Sequence, residues 1–172
     1  MNTLIIKKAS PSDVLEIKQL LVYVWEITFH SLLSPYTIKK VTSVCYDEAL
    51  LAAQINDPSI TFLVAVDESG KILGAANARE DEDRVVILNR LYVHPSCQKN
   101  GVGTKLLNEI VKGFPIAEKI LLEVVANNID SINFYLNYGF QITGLNINTV
   151  ENVTLHVKVL QKRLKCTERN QV

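Results

Sequence analysis

The sequence predicts a mixed α/β domain with a central sheet of about seven strands, about four helices and the element order βααβββαβαββ. Apolar residues first recur every three or four positions, and at Ile60 this period changes to the pattern of strands. Between residues 84 and 125, a strand, a helix and a near-continuous apolar strand follow one another, which implies a parallel crossover. The length of 172 residues suits one domain with one core.

The N-terminal third should contain one strand and two helices. Residues 3–9 are rich in β-forming side chains, and Ser10-Pro11-Ser12-Asp13 then supplies an N-cap, a proline for the first helical position and an early carboxylate. Apolar residues at three-and-four spacing continue this helix along one buried face. Pro35 interrupts the pattern, and a second helix is expected from about Ile38 to Gln54, ended by the turn formers Asn56-Asp57-Pro58.

The middle of the chain should form three consecutive strands. Residues 60–66 and 71–77 are β-forming runs on either side of the turn sequence Asp67-Glu68-Ser69-Gly70, which predicts a hairpin. The acidic stretch Glu80-Asp81-Glu82-Asp83 then connects this hairpin to a fourth strand, expected from Arg84 to Val93.

The last third should contain two helices and three strands. A helix is expected from Gly103 to about Lys112, and residues 119–125 form an apolar strand typical of a sheet that is covered on both sides. A shorter helix is expected over residues 129–137, because Gly139 follows it at the position where a left-handed cap is favoured. Two strands complete the domain, and the last covers about residues 152–160.

Composition and charge argue against several classes of partner. Lysine plus arginine and aspartate plus glutamate both number 18, so no global field attracts nucleic acid or an anionic membrane. No apolar run approaches the roughly 20 residues that span a bilayer. We therefore expect one domain over residues 1–163 and a polar tail over residues 164–172, with no nucleic-acid or membrane partner.

The cysteines indicate a reducing compartment. Cys45, Cys97 and Cys166 are widely separated, with neither a CxxC pair nor the histidine spacing of a zinc site, so no metal site is expected. The N-terminus lacks the basic segment and long apolar run of a secretory signal. These observations predict a cytoplasmic protein.

The stretch from Pro95 to Lys105 predicts a phosphate-binding loop. Pro95 ends the preceding strand, because it cannot donate a ladder hydrogen bond. Gly101 and Gly103 allow backbone amides to turn toward a bound group without a Cβ in the way. The helix that begins near Gly103 adds free N–H groups and the positive end of its dipole, which favour a phosphate.

Three alternatives to this interpretation are a Walker loop, a dinucleotide-binding turn and a loop without a ligand. The order Gly103-Thr104-Lys105 is wrong for a Walker loop, which excludes it. The dinucleotide fingerprint requires a glycine where Leu106 stands, although Glu123 is spaced like its ribose-binding carboxylate. A structural loop without a ligand stays open, because a glycine pair by itself is a weak signal.

Two blocks of sequence carry recognisable motifs. The run Leu91-Tyr92-Val93-His94-Pro95, followed by Gln98-Lys99-Asn100-Gly101-Val102-Gly103, resembles motif A, Gln/Arg-x-x-Gly-x-Gly/Ala, of the GNAT superfamily of acetyl-CoA-dependent N-acetyltransferases. Residues 123–140 resemble motif B, N-x-x-A-x-x-x-Tyr-x-x-x-Gly-Phe, with Ser131 in place of the alanine. The resemblance implies the GNAT fold and acetyl-CoA as the acyl donor.

The resemblance also implies a two-part donor site. In the family, backbone groups of the strand before the loop pair with the pantetheine arm, loop amides hold the pyrophosphate, and the motif B asparagine contacts the arm. The residues that match these roles are Leu91, Tyr92, Val93, Gln98, Lys99, Asn100, Gly101, Val102, Gly103, Thr104 and Asn128. Tyr135 matches the tyrosine beside the sulfur, where a phenol can donate a proton to the leaving thiol. The alternatives are a solvated Lys99 and a merely packed Tyr135.

The group that accepts the proton of the attacking amine is less defined. Related enzymes often carry a glutamate where this sequence has Asn89, and an amide cannot act as a base. A neighbouring carboxylate acting through water is the alternative, and the acidic stretch at residues 80–83 is expected within reach of the acceptor cleft, unless it is only a solvated loop. Glu123, which the family commonly has at this position, either is structural or orients water.

The segment Trp25-Glu26-Ile27-Thr28-Phe29-His30 resembles bacterial acetyltransferases of the spermidine/spermine type. With the acidic residues Glu26 and 80–83, it favours a small primary amine or polyamine as acceptor, attacked directly in a ternary complex. A protein or peptide N-terminus is the second expectation, and a non-catalytic acyl-CoA-binding sensor module the third. The resemblance leaves a homodimer open.

Overall fold

A computed structural model describes residues 4–150 and 152–164, and in it seven strands form one sheet in the order β1-β2-β3-β4-β5-β7-β6. The predicted mixed α/β fold and its seven strands are thereby confirmed. Most of the predicted polar tail, including Cys166, lies outside the described residues, as does Thr3. The elements are β1 Ile5–Lys8, α1 Val14–Phe29, α2 Pro35–Cys45, α3 Glu48–Asn56, β2 Ile60–Val66, β3 Ile72–Glu80, β4 Val85–Val93, α4 Val102–Lys112, β5 Lys119–Val125, α5 Ile129–Asn137, β6 Gln141–Val150 and β7 Val153–Arg163.

The second predicted helix is divided in two. It was expected to run from Ile38 to Gln54, but α2 begins at Pro35 and α3 begins at Glu48. The cause is Asp47, whose side chain accepts hydrogen bonds from the backbone N–H groups of the first turn of α3, at 2.9 and 3.1 Å. The break allows the side chain of Tyr46 to enter the core, where it is 3% exposed.

The sheet separates two hydrophobic cores. One core lies between the sheet and α4 with α5, where Leu106, Leu107 and Ile110 of α4 are completely buried. The other lies between the sheet and the three N-terminal helices. Burial of each such leucine or isoleucine contributes about 1.5–3 kcal/mol to the stability of the fold. The packing of helices on both faces therefore stabilises the sheet. No helix in the described residues is both long and apolar enough to cross a membrane.

The central strands β4 and β5 pair over only a short length. Their parallel ladder joins residues 85–87 to residues 119–121, and no further pair follows within the described chain. On its other side, β4 pairs with β3 through a bulge, since Asn77 lies opposite Arg90 and Ala78 opposite Leu88. Asn89 is thereby left unpaired. The sheet is split where β4 and β5 separate, and within the described chain the backbone groups of β4 beyond residue 87 have no strand partner on that side.

Candidate active site

The split between β4 and β5 opens into a cavity of about 1180 Å³. Its walls follow β4 from Ile87 to Val93 and β5 from Leu121 to Val125. The C-terminal part of α1 closes one side, and the start of α5 closes the other. Pro95 and Gln98 lie at one end, so the cavity leads to the predicted phosphate-binding loop.

The start of α4 offers backbone donors to a ligand. Gly101 adopts a left-handed conformation with φ 80°, as does Lys99 with φ 62°, and helix α4 follows at Val102. No side chain of the described residues caps this helix, and its first backbone hydrogen bond runs from the N–H of Lys105 to the carbonyl of Gly101. The N–H groups of residues 102–104 therefore remain available for an anion.

The first turn of α4 lies against motif B at Gly103. A Cβ at this position would meet Phe134 at 3.4 Å and Val93 at 3.6 Å, which are ordinary van der Waals distances, so a methyl group would fit. Gly101 is different, since its positive φ disfavours any residue with a Cβ although no atom crowds it.

The side chains of the loop mainly hold the loop itself. The Gln98 side chain donates to the Val93 carbonyl at 3.1 Å, which fixes the end of β4. His94 accepts from the Ser96 N–H at 3.3 Å, and its ring stacks on Tyr23 with centroids 5.1 Å apart. Lys99 and Asn100 are exposed. These contacts agree with a positioning role for His94.

Asn128 begins α5 at the edge of the cavity. Its side-chain carbonyl accepts from the Ser131 N–H at 3.2 Å, so it is the N-cap of the helix. The cap uses only the backbone of Ser131, which explains why serine can replace the usual alanine. The amide NH₂ group of Asn128 is the side left for a ligand.

Tyr135 of α5 lines the cavity while being only 6% exposed. Its ring packs edge-on against Phe134 and Phe140, with centroids 5.1 and 5.4 Å away. Burial raises the pKa of the Tyr135 phenol, and the nearby Tyr92 adds to this effect. The phenol is therefore protonated at neutral pH, and none of the hydrogen bonds found among residues 4–150 and 152–164 involves its hydroxyl.

The Tyr92 side chain has a role that sequence analysis missed. Its hydroxyl accepts from Trp25 Nε1 at 3.1 Å and from the Tyr46 hydroxyl at 3.0 Å. Burial raises the pKa of Tyr46, with further contributions from Tyr92. Three aromatic side chains from α1, β4 and the α2–α3 junction thus form one wall of the cavity.

The acidic residues predicted for the acceptor cleft lie elsewhere. Neither Glu26 nor the stretch 80–83 lines the cavity. Asp81 instead closes the turn between β3 and β4, since it accepts from the N–H groups of Asp83 and Val85 at 3.0 and 2.9 Å. Asn89, on the bulge, does line the cavity. In the described part of the chain, no group of three or more histidine, cysteine or acidic residues could hold a metal ion.

Two carboxylates of the described residues line the cavity, Glu123 and Asp130. Glu123 projects from β5 at the split, where its oxygens accept from Asn146 Nδ2 at 2.9 Å and Asn148 Nδ2 at 2.6 Å. Both asparagines belong to β6 and fix the carboxylate in place. Asp130 is exposed in the first turn of α5.

The cavity therefore combines a helix start that has free N–H groups with a cleft between two separated strands, an arrangement that suits a long phosphorylated ligand. Residues 25–140 match the sequence profile of the Acetyltransferase (GNAT) family, and the chain belongs to this family. The resemblance of the two motifs to GNAT enzymes is thereby confirmed. This family is one of acetyltransferases.

Solved structures share the fold over nearly the whole chain. The PaiA N-acetyltransferase from Thermoplasma acidophilum, in complex with coenzyme A, has a TM-score of 0.82 at 21% identity and covers 94% of this chain and 99% of its own. A GCN5-related N-acetyltransferase from Rhodopseudomonas palustris has a TM-score of 0.79 at 23% identity, covering 95% and 98%. The ribosomal-protein-S18-alanine N-acetyltransferase from Escherichia coli has a TM-score of 0.70 at 17% identity, covering 99% of both chains. These identities establish a shared fold. The coenzyme A in the Thermoplasma complex agrees with the predicted donor.

A curated relative covers less of the chain. The UPF0157 protein YqkA of Bacillus subtilis is 31% identical over 74 residues, which are 43% of this chain. The matched part is 21% of that protein, so the chain spans about a fifth of the length of the curated relative it matches.

Proposed function

We propose that this chain transfers an acetyl group from acetyl-CoA to a primary amine by direct attack in a ternary complex. The observation that carries the proposal is the cavity at the split of β4 and β5. It connects the free amides at the start of α4 with a buried phenol and a fixed carboxylate. Acetyl-CoA would supply an activated thioester, and the protein would bind it, orient it and move protons.

The donor would be held mainly by backbone groups. The N–H groups of residues 102–104 suit the pyrophosphate. The edge of β4 at residues 91–93, which has no strand partner at the split although the Val93 carbonyl accepts from Gln98, suits the amides of the pantetheine arm. The amide of Asn128 would contact the same arm from the opposite side. Such contacts recognise the shared part of acyl-CoA molecules and leave the acyl group near Tyr135.

Tyr135 would act as the general acid. Because burial keeps the phenol protonated, it can donate a hydrogen bond and then a proton to the sulfur as the thiol leaves. Glu123 is the proton acceptor that the geometry favours, since it lines the cavity and two asparagines of β6 fix its carboxylate at the split. It would receive the ammonium proton directly or through a water molecule.

Direct attack is favoured over a cysteinyl intermediate. Cys45 is a thiol that lines the cavity. Burial raises its pKa, and the charge of Arg90 only partly opposes this effect. The thiolate fraction at neutral pH is therefore small, and a poorly ionised thiol is a poor nucleophile.

A small primary amine is the first candidate acceptor, and a protein or peptide N-terminus is the second. The polyamine candidate loses its electrostatic support, because Glu26 and residues 80–83 do not line the cavity. The second candidate is supported by the names of two similar structures, the ribosomal-protein-S18-alanine N-acetyltransferase and Arabidopsis NAA60 with a bisubstrate analogue. A homodimer stays a prediction, to be checked by sedimentation.

The test is release of free thiol from acetyl-CoA with a panel of amines, including amino acids, polyamines, aminoglycosides and short peptides. We expect at least one amine to give release that Tyr135→Phe lowers by about 100-fold or more, as for loss of a general acid. Heat protection by acetyl-CoA shows in parallel that the donor binds. Binding without amine-dependent release from any member of the panel would instead identify a non-catalytic acyl-CoA-binding module.

A further inference from the structure

The end of the cavity remote from the loop contains two arginines, Arg79 of β3 and Arg90 of β4. Arg90 lies opposite Asn77 in the β3–β4 ladder, and Arg79 lies two residues beyond Asn77 on β3. Because side chains alternate along a strand, both arginines project from the sheet face that packs against the three N-terminal helices. Two guanidinium groups therefore belong to the same wall.

Arg90 has only neutral partners. Its Nη1 donates to Gln54 Oε1 at 2.5 Å and its Nη2 donates to the Cys45 carbonyl at 3.0 Å, while its guanidinium stands 5.6 Å from the centre of the Tyr46 ring. Neither Arg79 nor Arg90 forms an ion pair with any residue of the ranges 4–150 and 152–164. A half-buried cation surrounded by neutral dipoles retains a charge that an anionic ligand can neutralise.

The polar groups around Arg90 offer donors. The carbonyl of Gln54 is occupied by Arg90, and Asn77 Nδ2 approaches the same oxygen at 3.5 Å. The amide NH₂ of Gln54, which also lines the cavity, is the side that remains for a ligand. Guanidinium groups have five N–H donors and no acceptor. The set is complementary to a carboxylate, which accepts paired hydrogen bonds from a guanidinium.

Asp57, an acidic residue that interacts electrostatically with Arg79, does not cancel this charge. The pKa of Asp57 is lowered mainly by hydrogen bonds from Ser59, and the charge of Arg79 contributes less. Asp57 is fully exposed, so its attraction for Arg79 is screened by solvent. The electrostatics of this end of the cavity therefore oppose a polycation and favour an anion.

We propose that the acceptor is a small amino-carboxylate, an amino acid or a close analogue, whose carboxylate is bound by Arg79, Arg90 and the amide of Gln54. The inference rests on the proposed function, since it names the acceptor of the same site. With its carboxylate held at this end, the ligand presents its amine toward Tyr92 and Tyr135 and the donor half of the cavity.

The experiment compares kcat/KM for thiol release with glycine, β-alanine and γ-aminobutyrate, each against its own carboxamide, and with a diamine of similar length. We expect at least one acid to exceed its carboxamide by about 10- to 100-fold, the range for a hydrogen bond to a charged group. Arg79→Gln and Arg90→Gln should remove most of this preference and leave the KM for acetyl-CoA unchanged. Lys39→Gln removes an exposed charge outside the cavity and should leave the preference intact.

The outcomes separate this inference from the proposed function. Equal rates with acids and carboxamides, a faster diamine, or a preference that survives both arginine substitutions would overturn the inference while acetyl transfer stands. If none of the amines supported thiol release, both the inference and the proposed function would be overturned. Arg90→Gln also removes a contact to α3, so a loss of the acid preference in this variant could arise from misfolding. Two controls address this: Arg79→Gln changes an exposed residue, and an unchanged KM for acetyl-CoA shows that the variant is folded.

Discussion

The two ends of the cavity are built in different ways. The donor end consists mostly of backbone groups from one continuous segment, the end of β4, the loop and the start of α4. The other end, where we propose that the acceptor binds and which we call the acceptor end, consists of side chains from separate elements, among them Trp25, Tyr46, Arg79 and Arg90. A backbone site depends on conformation and tolerates many side chains, whereas a side-chain site depends on each residue. The backbone groups therefore indicate the class of donor, whereas the class of acceptor has to be inferred from individual side chains.

The largest effect should come from Glu123, which lies between the two ends. Glu123→Gln should lower kcat by about 100- to 10,000-fold with little change in the KM for acetyl-CoA, because the amide cannot accept the ammonium proton. The matched control is Asp130→Asn, the other carboxylate on the cavity wall. Steady-state thiol release measures both variants. Equal losses in both, or near-normal kcat in Glu123→Gln, would remove Glu123 from the proton path.

Alanine substitutions at two glycines with similar backbone angles distinguish an effect on donor binding from an effect on stability. Gly101 and Gly70 have φ 80° and 86°, and no atom lies within 4 Å of a Cβ added at either. An alanine at each should lower the free energy of unfolding by about 1–2 kcal/mol through backbone strain. Only Gly101→Ala should also raise the KM for acetyl-CoA, since Gly70 lies in the β2–β3 turn. Urea unfolding and donor titrations measure the pair, and equal KM values in both variants would contradict the donor end as described.

A smaller effect is expected at the aromatic wall of the acceptor end. Tyr46→Phe removes one of the two hydrogen bonds that the Tyr92 hydroxyl accepts and should cost up to about 1.5 kcal/mol of stability. The KM for the acceptor should change, and that for acetyl-CoA should not. Trp25→Phe removes the other bond and is the comparison variant. A change in the acetyl-CoA KM alone would assign this wall to the donor end.

The smallest effect concerns Asp13, which lies outside the cavity at the start of α1. Burial opposes the shift, but hydrogen bonds from Ser10 and the charge of Lys7 outweigh it, so the pKa of Asp13 lies below its ordinary value of 3.8. A carboxyl with a lowered pKa stabilises the fold above that value, and the contribution is lost as the pH falls through the folded-state pKa. Asp13→Asn should cost about 0.5–1 kcal/mol at pH 7.

The pH dependence of that cost is the check. Urea unfolding of both proteins should give a difference that is full at pH 7 and shrinks once the pH falls below 3.8. The kcat/KM of Asp13→Asn at pH 7 should equal that of the parent protein. A difference in stability that stays constant down to the most acidic pH would show that the charge of Asp13 has no part in it.

The donor end could be predicted from sequence because its information is local. The loop, the start of α4 and α5 over residues 129–137 follow from glycine positions, helix signals and two short motifs. The division of the second helix was missed because apolar residues continue across the break, although Asp47 followed by Glu48 is a local N-cap signal.

The acceptor end could not be predicted in the same way. Tyr92 receives its hydrogen bonds from residues 67 and 46 positions away, and no sequence spacing encodes such contacts. The acidic stretch at residues 80–83 was expected near the acceptor from its place between two strands. Asp81 binds the backbone of its own turn, whereas Asn89, at the bulge of β4, lines the cavity. The directions of these side chains, which the order of elements along the chain does not give, determine which residues line the cavity.

The most direct test of the central claim is an NMR titration of backbone amides with acetyl-CoA, with NADH as the comparison ligand. We predict that acetyl-CoA shifts the amides of Gly101 to Thr104 most strongly, followed by those of residues 91–93 and the side-chain amide of Asn128, while Gly70 stays unchanged. NADH should shift none of them at the same concentration. Shifts that avoid the split between β4 and β5, or equal shifts with NADH, would contradict the account.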